Sequence, residues 1–349
     1  MPAGAPGGPR ELARLVQDYE RAGADAVWVG EGYGVDVPTT LGYLAAVTDR
    51  IQIGSGILNA YSRTPAVLAQ TAAGIDWLTD GRSMLGLGSS GPQVIEGFHG
   101  VPFEAPVQRI SEIIEICRRV WRREPLVHDG TVFTLPLPPG EGTGLGKPIK
   151  LVHHPVRSEI PIWWGSLGPR AVEATAELAN GWLTFLLIPE KLREVWGDPL
   201  DRGLARRDPA LGPLEIQASV KVAIGERLDP TPIHDSLRSM LALYVGGMGA
   251  RGANFYNDLA VAYGFESEAA QIQELYLAGR RAEAAASVPT AWLEALCLVG
   301  PPGYVAEQLA LRREAGVTQL SVDPVGTRVG ADVVDVADTL AQVRSLLGE

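Results

Sequence analysis

Two turns in this sequence bring together the groups that bind anions. Gly86-Leu-Gly-Ser-Ser-Gly91 follows a strand-like run and repeats the glycine spacing of a dinucleotide-binding turn. That reading requires a helix to open at once, so that its amides meet a pyrophosphate. The residues that follow, Pro92 to Pro102, hold two Gly and two Pro, and helical periodicity resumes only near Pro106. A strand-end loop fits better, with the Ser89 and Ser90 hydroxyls and the amides up to Gly91 facing a ligand. Gly165-Ser-Leu-Gly-Pro-Arg170 also follows a strand and runs into a helix, with Pro169 suited to its first turn. The free amides after Gly165, Leu167 and Gly168, the Ser166 hydroxyl and the Arg170 guanidinium make an anion site there. An ordinary turn, with Gly and Pro serving geometry alone, is the other reading.

Three further positions carry candidate chemistry. Glu31 ends a strand, where a carboxylate faces the mouth of a barrel and serves acid–base or ligand-fixing work; a capping role competes. Gly54-Ser-Gly-Ile-Leu-Asn59 puts two glycines at a strand end, the mark of a bulge or of close ligand approach. His99 is a candidate proton donor, or a loop histidine bonded to backbone. His153 and His154 are adjacent and cannot share a helix face as zinc ligands do, and no nucleophile elbow occurs. Anion-binding turns without covalent machinery point to a bound cofactor as the source of the chemistry.

The elements that must hold these groups alternate. Short, branched or aromatic runs bounded by Gly or Pro predict strands at 26–31, 51–57, 83–88, 161–165, 181–185, 214–224 and 317–322. Helical periodicity covers 10–22, 65–79, 106–123, 169–179, 189–207, 301–315 and 335–347. Cys117 lies in the apolar stripe of 106–123, which predicts a packed thiol. The alternation implies a parallel sheet, open and doubly wound or closed as a barrel. Two stretches interrupt it. Residues 125–160 hold a hairpin with Asp129-Gly130 as its turn, followed by a Gly/Pro-rich loop. Residues 230–295 read as largely helical, broken at Tyr244–Gly249. The strand expected before helix 10–22 is missing, since only a Gly/Pro-rich stretch stands there.

With 349 residues, 46% apolar and 20% charged, the chain can build a substantial core despite 41 Gly and 26 Pro. A net charge of −11 argues against nucleic acid as a partner. Two cysteines make no disulfide framework, and no apolar run reaches the length of a membrane span. The expectation is a soluble, cytoplasmic enzyme acting on a small molecule.

Several stretches resemble the luciferase-like superfamily, and more narrowly its oxidoreductases that use the deazaflavin coenzyme F420. They are Glu31-Gly-Tyr-Gly34, Gly54–Asn59, Ser62-Arg-Thr-Pro-Ala66, Gly86–Phe103, Leu243-Tyr-Val-Gly-Gly-Met-Gly249, Asn254-Phe-Tyr-Asn-Asp258 and Gly300-Pro-Pro302. The resemblance spans residues 10 to 325. It implies one TIM-type (β/α)8 barrel domain over 1–349, with insertions at 125–160 and 230–295 and its first strand absent. It implies coenzyme F420 in the barrel mouth, against a non-prolyl cis peptide at Gly56–Ile57 and beside Asn59. The coenzyme's phosphate and ribityl chain would meet the 165–170 turn and the Ser89/Ser90 loop. Glu31 matches an acidic residue near the ring. Other branches have a histidine where Gly32 stands, which leaves Glu31 or His99 for proton transfer. Arg251, Asn254, Tyr256 and Asn257 are substrate-side candidates, or else pack an accessory helical layer. The implied activity is hydride transfer between the coenzyme and an organic substrate. An FMN-dependent monooxygenase and a non-catalytic cofactor-binding barrel are the alternatives, and relatives of this kind are often homodimers.

Overall fold

Strands form where branched and aromatic side chains fit a sheet covered on both faces, and one-faced helices cover it. The computed structural model describes residues 8–324, 328–329, 332–333 and 336–348. From the N-terminus, α1 (Gly8–Arg21), β1 (Ala26–Val29), α2 (Val37–Ala45), β2 (Gln52–Ser55) and β3 (Leu58–Asn59) lead to α3 (Pro65–Leu78). Then come β4 (Ser83–Gly88), α4 (Pro92–Gly97), α5 (Pro106–Trp121) and a ribbon of β5 (His128–Asp129) and β6 (Thr134–Leu135). The pattern continues with β7 (Ile162–Gly165), α6 (Pro169–Leu178), β8 (Gly181–Leu183), α7 (Leu192–Leu204) and β9 (Glu215–Ile224). A helical block follows: α8 (Thr231–Gly247), α9 (Phe255–Ala262), α10 (Glu266–Leu277), α11 (Arg281–Ala286) and α12 (Thr290–Ala295). Last come β10 (Cys297–Gly300), α13 (Pro302–Glu314), β11 (Gln319–Pro324) and α14 (Val336–Leu347).

The main sheet is parallel and runs β1-β2-β4-β7-β8-β9, with β11 on the opposite edge of β9. β10 pairs with residues 221–224 of β9, beyond the stretch that pairs with β8. Among the described residues this is a curled, barrel-type sheet with no ladder from β1 to β11. The helical layer does close over that side, where Arg344 of α14 donates to the Gly23 carbonyl and meets Asp25 at 3.1 Å. Most of the stretch where a first strand was sought, residues 1–7, lies outside the described residues.

Three expectations change. A short helix, α4, does open directly after Gly91. The ribbon turns through residues 130–133 and not through a two-residue Asp-Gly turn. The cause is Glu112 on α5, whose buried carboxylate accepts the N–H groups of Thr131, Val132 and Phe133 and bonds His128 and Gln108. Burial pushes this carboxyl up, but those bonds outweigh it and hold its pKa at about 2. Finally, Tyr244–Gly247 is the last turn of α8, and its glycines admit α10: a Cβ on Gly246 would stand 2.5 Å from Tyr276. Cys117 is fully buried, and that burial pushes its thiol pKa up.

Candidate active site

The mouth is built around a bulge between β2 and β3. The Gly56–Ile57 peptide is cis, as the resemblance implied. The Ile57 side chain lies against Gly88 of β4 and Gly165 of β7, where an added Cβ would come within 2.8 Å and 3.0 Å of it. A Cβ on Gly86 would stand 1.8 Å from the Ser55 carbonyl oxygen. Two glycines of the 86–91 pattern are therefore needed to admit the neighbouring strand and its bulge. Beneath Ile57, Trp28 and Trp163 meet edge to face with centroids 5.1 Å apart and floor the barrel. Above it opens a cavity of 2050 Å³ that continues through the barrel interior to the side between β1 and β11.

One wall carries groups whose chemistry suits an anion. Gly168 caps α6 without a side-chain bond, so the first-turn N–H groups are left for a ligand. Arg170 is exposed beside them and has no partner among the described residues. Ser89 and Ser90 face the same cavity, with Ser90 in the left-handed region at φ 57°. Ser166 lines the cavity too, but its hydroxyl is committed to Thr175 at 2.8 Å. The neighbouring carbonyls are fixed by indoles: Trp182 donates to Ser166 and Trp196 to Leu167. The turn is thus held from behind while its amides stay open.

Across the mouth, Glu31 lines the cavity and is gripped by Arg63 through two bonds of 2.7 and 2.8 Å. Arg63 also reaches Asp36 at 2.5 Å, which caps α2 through Thr39. Bonding to Glu31 raises the Arg63 pKa against the effect of burial. Burial pushes Asp36 up, but Thr39 and Arg63 outweigh it and lower its pKa.

The other candidates divide. Asn59, Gly91 and His99 do not line the cavity. The Asn59 side-chain oxygen accepts from the Tyr61 and Ser62 amides, so its Nδ2 donates to His99 Nε2 at 2.9 Å. His99 Nε2 is therefore an acceptor, which places the ring proton on Nδ1. In the insertion, Tyr256 lines the cavity whereas Arg251, Asn254 and Asn257 do not. Asn254 caps α9 and donates to the Tyr244 and Val245 carbonyls; Asn257 reaches Val245 and Ala269. These two amides fasten α9 to the end of α8 and so place Tyr256. Phe185 and Tyr244 also line the cavity, as does Tyr33. Sequence reading passed over these rings and Arg63, although Tyr33, Arg63 and Tyr244 stand inside stretches that carried the resemblance.

Among the described residues, no helix is long and apolar enough to cross a membrane, and no three His, Cys, Asp or Glu side chains are grouped to hold a metal ion.

The comparisons with known proteins agree on the class. A family model described as luciferase-like monooxygenase matches residues 1–319. A Mycobacterium tuberculosis protein whose name proposes a coenzyme F420-dependent oxidoreductase is 38% identical over 318 residues, covering 90% of each chain. A 5,10-methylenetetrahydromethanopterin reductase of Archaeoglobus fulgidus is 27% identical, covering 92% of this chain and 91% of its own. Among solved structures, the coenzyme F420-dependent tetrahydromethanopterin reductase of Methanopyrus kandleri shares the fold, with a TM-score of 0.76 at 23% identity. That match covers 98% of this chain and 95% of the other. The chain belongs to the luciferase-like monooxygenase family. Within it, the chain falls in the coenzyme F420-dependent oxidoreductase branch.

Proposed function

We propose that this enzyme transfers a hydride between coenzyme F420 and a small organic substrate, both bound in the mouth of the barrel. The observation that carries the reading is the convergence, on one cavity, of an uncapped helix N-terminus, an Arg170 with no partner among the described residues and the Ile57 bulge. These residues fit a flat ring with an anionic tail. The first-turn amides of α6 and Arg170 would hold the phosphate, with Ser89 and Ser90 beside them, and Ile57 would back the ring. When bound, the deazaflavin supplies two-electron hydride chemistry, and a deazaflavin reacts poorly with oxygen. The chain's own part is binding and orientation. Ile57 and the tryptophan floor exclude water from beneath the ring position, and Glu31, immobilised by Arg63, offers a fixed hydrogen-bond acceptor at the mouth.

Titration of the protein with F420 and with FMN, followed by coenzyme fluorescence, tests this. F420 is expected to bind, and Arg170→Ala to weaken it about fivefold, with a flatter salt dependence. Oxygen-dependent turnover with reduced FMN and no F420 binding overturns the reading.

A further inference from the structure

The substrate side of the cavity has a chemistry of its own. Phe185, two residues beyond β8, meets Tyr244 of α8 and Tyr256 of α9 in a mutual edge-to-face trio, with centroids 4.9, 5.8 and 4.7 Å apart. All three rings line the cavity. Asn254 and Asn257 set this geometry by tying α9 to Val245 in the last turn of α8, and Asn257 also to Ala269 of α10. Buried tyrosine hydroxyls ordinarily find a partner, and those of the two most buried tyrosines, Tyr61 and Tyr263, do. Tyr61 donates to the Glu104 carbonyl, and Tyr263 donates to Leu186 while accepting from Ile188. The hydroxyls of Tyr244 and Tyr256, both on half-buried residues, bond no group among the described residues. Burial raises the pKa of both phenols, so each keeps its proton and remains a donor.

Charge is absent from this wall. No residue that α8, α9 or the turn between them contributes to the cavity is ionisable as an acid or a cation near neutrality. Glu31 pairs with Arg63, which it shares with Asp36, so that corner keeps a net negative charge; Asp323 pairs with Lys221, and Arg170 lies at the start of α6. A phosphorylated or carboxylated substrate would meet no countercharge here, and desolvating it would be costly. Flat apolar surface with a weak hydrogen-bond acceptor would be matched on both counts.

We infer that the Phe185–Tyr244–Tyr256 wall binds an uncharged, planar substrate whose carbonyl oxygen accepts from the Tyr244 and Tyr256 hydroxyls. This deepens the proposed function and takes from it only that the cavity is a substrate site. The probes are three naphthalenes that share a ring: acetylnaphthalene, its carboxylate counterpart naphthoate, and ethylnaphthalene, which lacks an acceptor. Each is titrated by calorimetry into the coenzyme-free protein and into Tyr244→Phe, Tyr256→Phe and the double variant, which keep the rings. The ketone is expected to bind at least tenfold more tightly than the carboxylate. Each Tyr→Phe change should weaken the ketone about three- to tenfold and leave ethylnaphthalene unchanged. Equal binding of ketone and carboxylate, or unchanged ketone affinity in the double variant, overturns the inference. Coenzyme binding is read separately by its own fluorescence. Loss of coenzyme binding with the ketone preference intact refutes the F420 reading alone, and the reverse refutes the aromatic wall alone.

Discussion

At Glu31 the two carboxylate oxygens accept from one guanidinium, and the forked geometry makes that pair stronger than a point contact. Both side chains are mostly out of solvent, at 10% and 15% exposure, so removing one partner leaves a charge poorly solvated. Arg63→Ala is expected to cost about 2–4 kcal/mol in urea unfolding. Arg63→Lys should recover only part of this, since an ammonium cannot fork. Equal stability of the alanine variant and the native protein would show that the pair is idle. Glu112 gives a pH prediction. Its folded pKa of about 2 lies below the ordinary value of 4.5, so its stabilisation is complete above about pH 4.5 and disappears as pH falls toward 2. The shift corresponds to roughly 3 kcal/mol, and Glu112→Gln should flatten the acid limb of stability against pH. An unchanged acid limb would sink the assignment. Such roles were only partly legible in the sequence. Asn59, His99, Asn254 and Asn257 are polar groups near element ends, but the direction a side chain takes there is settled by tertiary packing. Arg63 was invisible as a partner because Glu31 stands 32 residues earlier. The two meet only once β1 and β2 lie side by side.

The elements themselves were far more legible. All seven expected strands occur at their places, with ends shifted by up to two residues, because short branched runs between glycines have few other uses. Those overlooked carry weak local signals. α2 starts Val-Pro-Thr-Thr and depends on the Asp36 cap, α4 is six residues ending in glycine, and β10 is four residues beside a helical block. The glycine pattern at 86–91 shows how a motif can be read at the wrong level. Gly86→Ala would place a carbon 1.8 Å from the Ser55 carbonyl oxygen, so β2 and β4 must separate. A loss of about 3 kcal/mol or more, or failure to accumulate folded protein, is expected. Gly91 has nothing within 4 Å of an added Cβ, so Gly91→Ala should leave stability within about 0.5 kcal/mol. Thermal unfolding of the two variants decides the matter: a coenzyme-contact role for both glycines predicts similar stabilities and similar losses of binding.

For the molecule as a whole, the arrangement of ladders sets where it opens. β4 is bonded to β2 and β3 on one side and to β7 on the other, whereas β1 and β11 have sheet partners only in β2 and β9 among the described residues. The cavity reaches that same side, with Ala26, Gln52, Gln319 and Ser321 among its lining, so water can approach the strand edges from within. Polar interior groups are accommodated there, as where Gln217 donates to Ser219 at 2.8 Å. Amides protected by ladders on both sides open only with large-scale unfolding, while edge amides open by local fluctuation. Hydrogen exchange followed by mass spectrometry should therefore show residues 26–29 and 319–324 exchanging faster than 83–88 and 162–165. Coenzyme binding should slow exchange in the Ser89/Ser90 loop and the first turn of α6, and leave this order of the strands intact. Uniform protection around the sheet would mean that β1 and β11 are joined in solution. The mouth would then be set in a closed ring, and its width would depend on the helices above it and not on an open side.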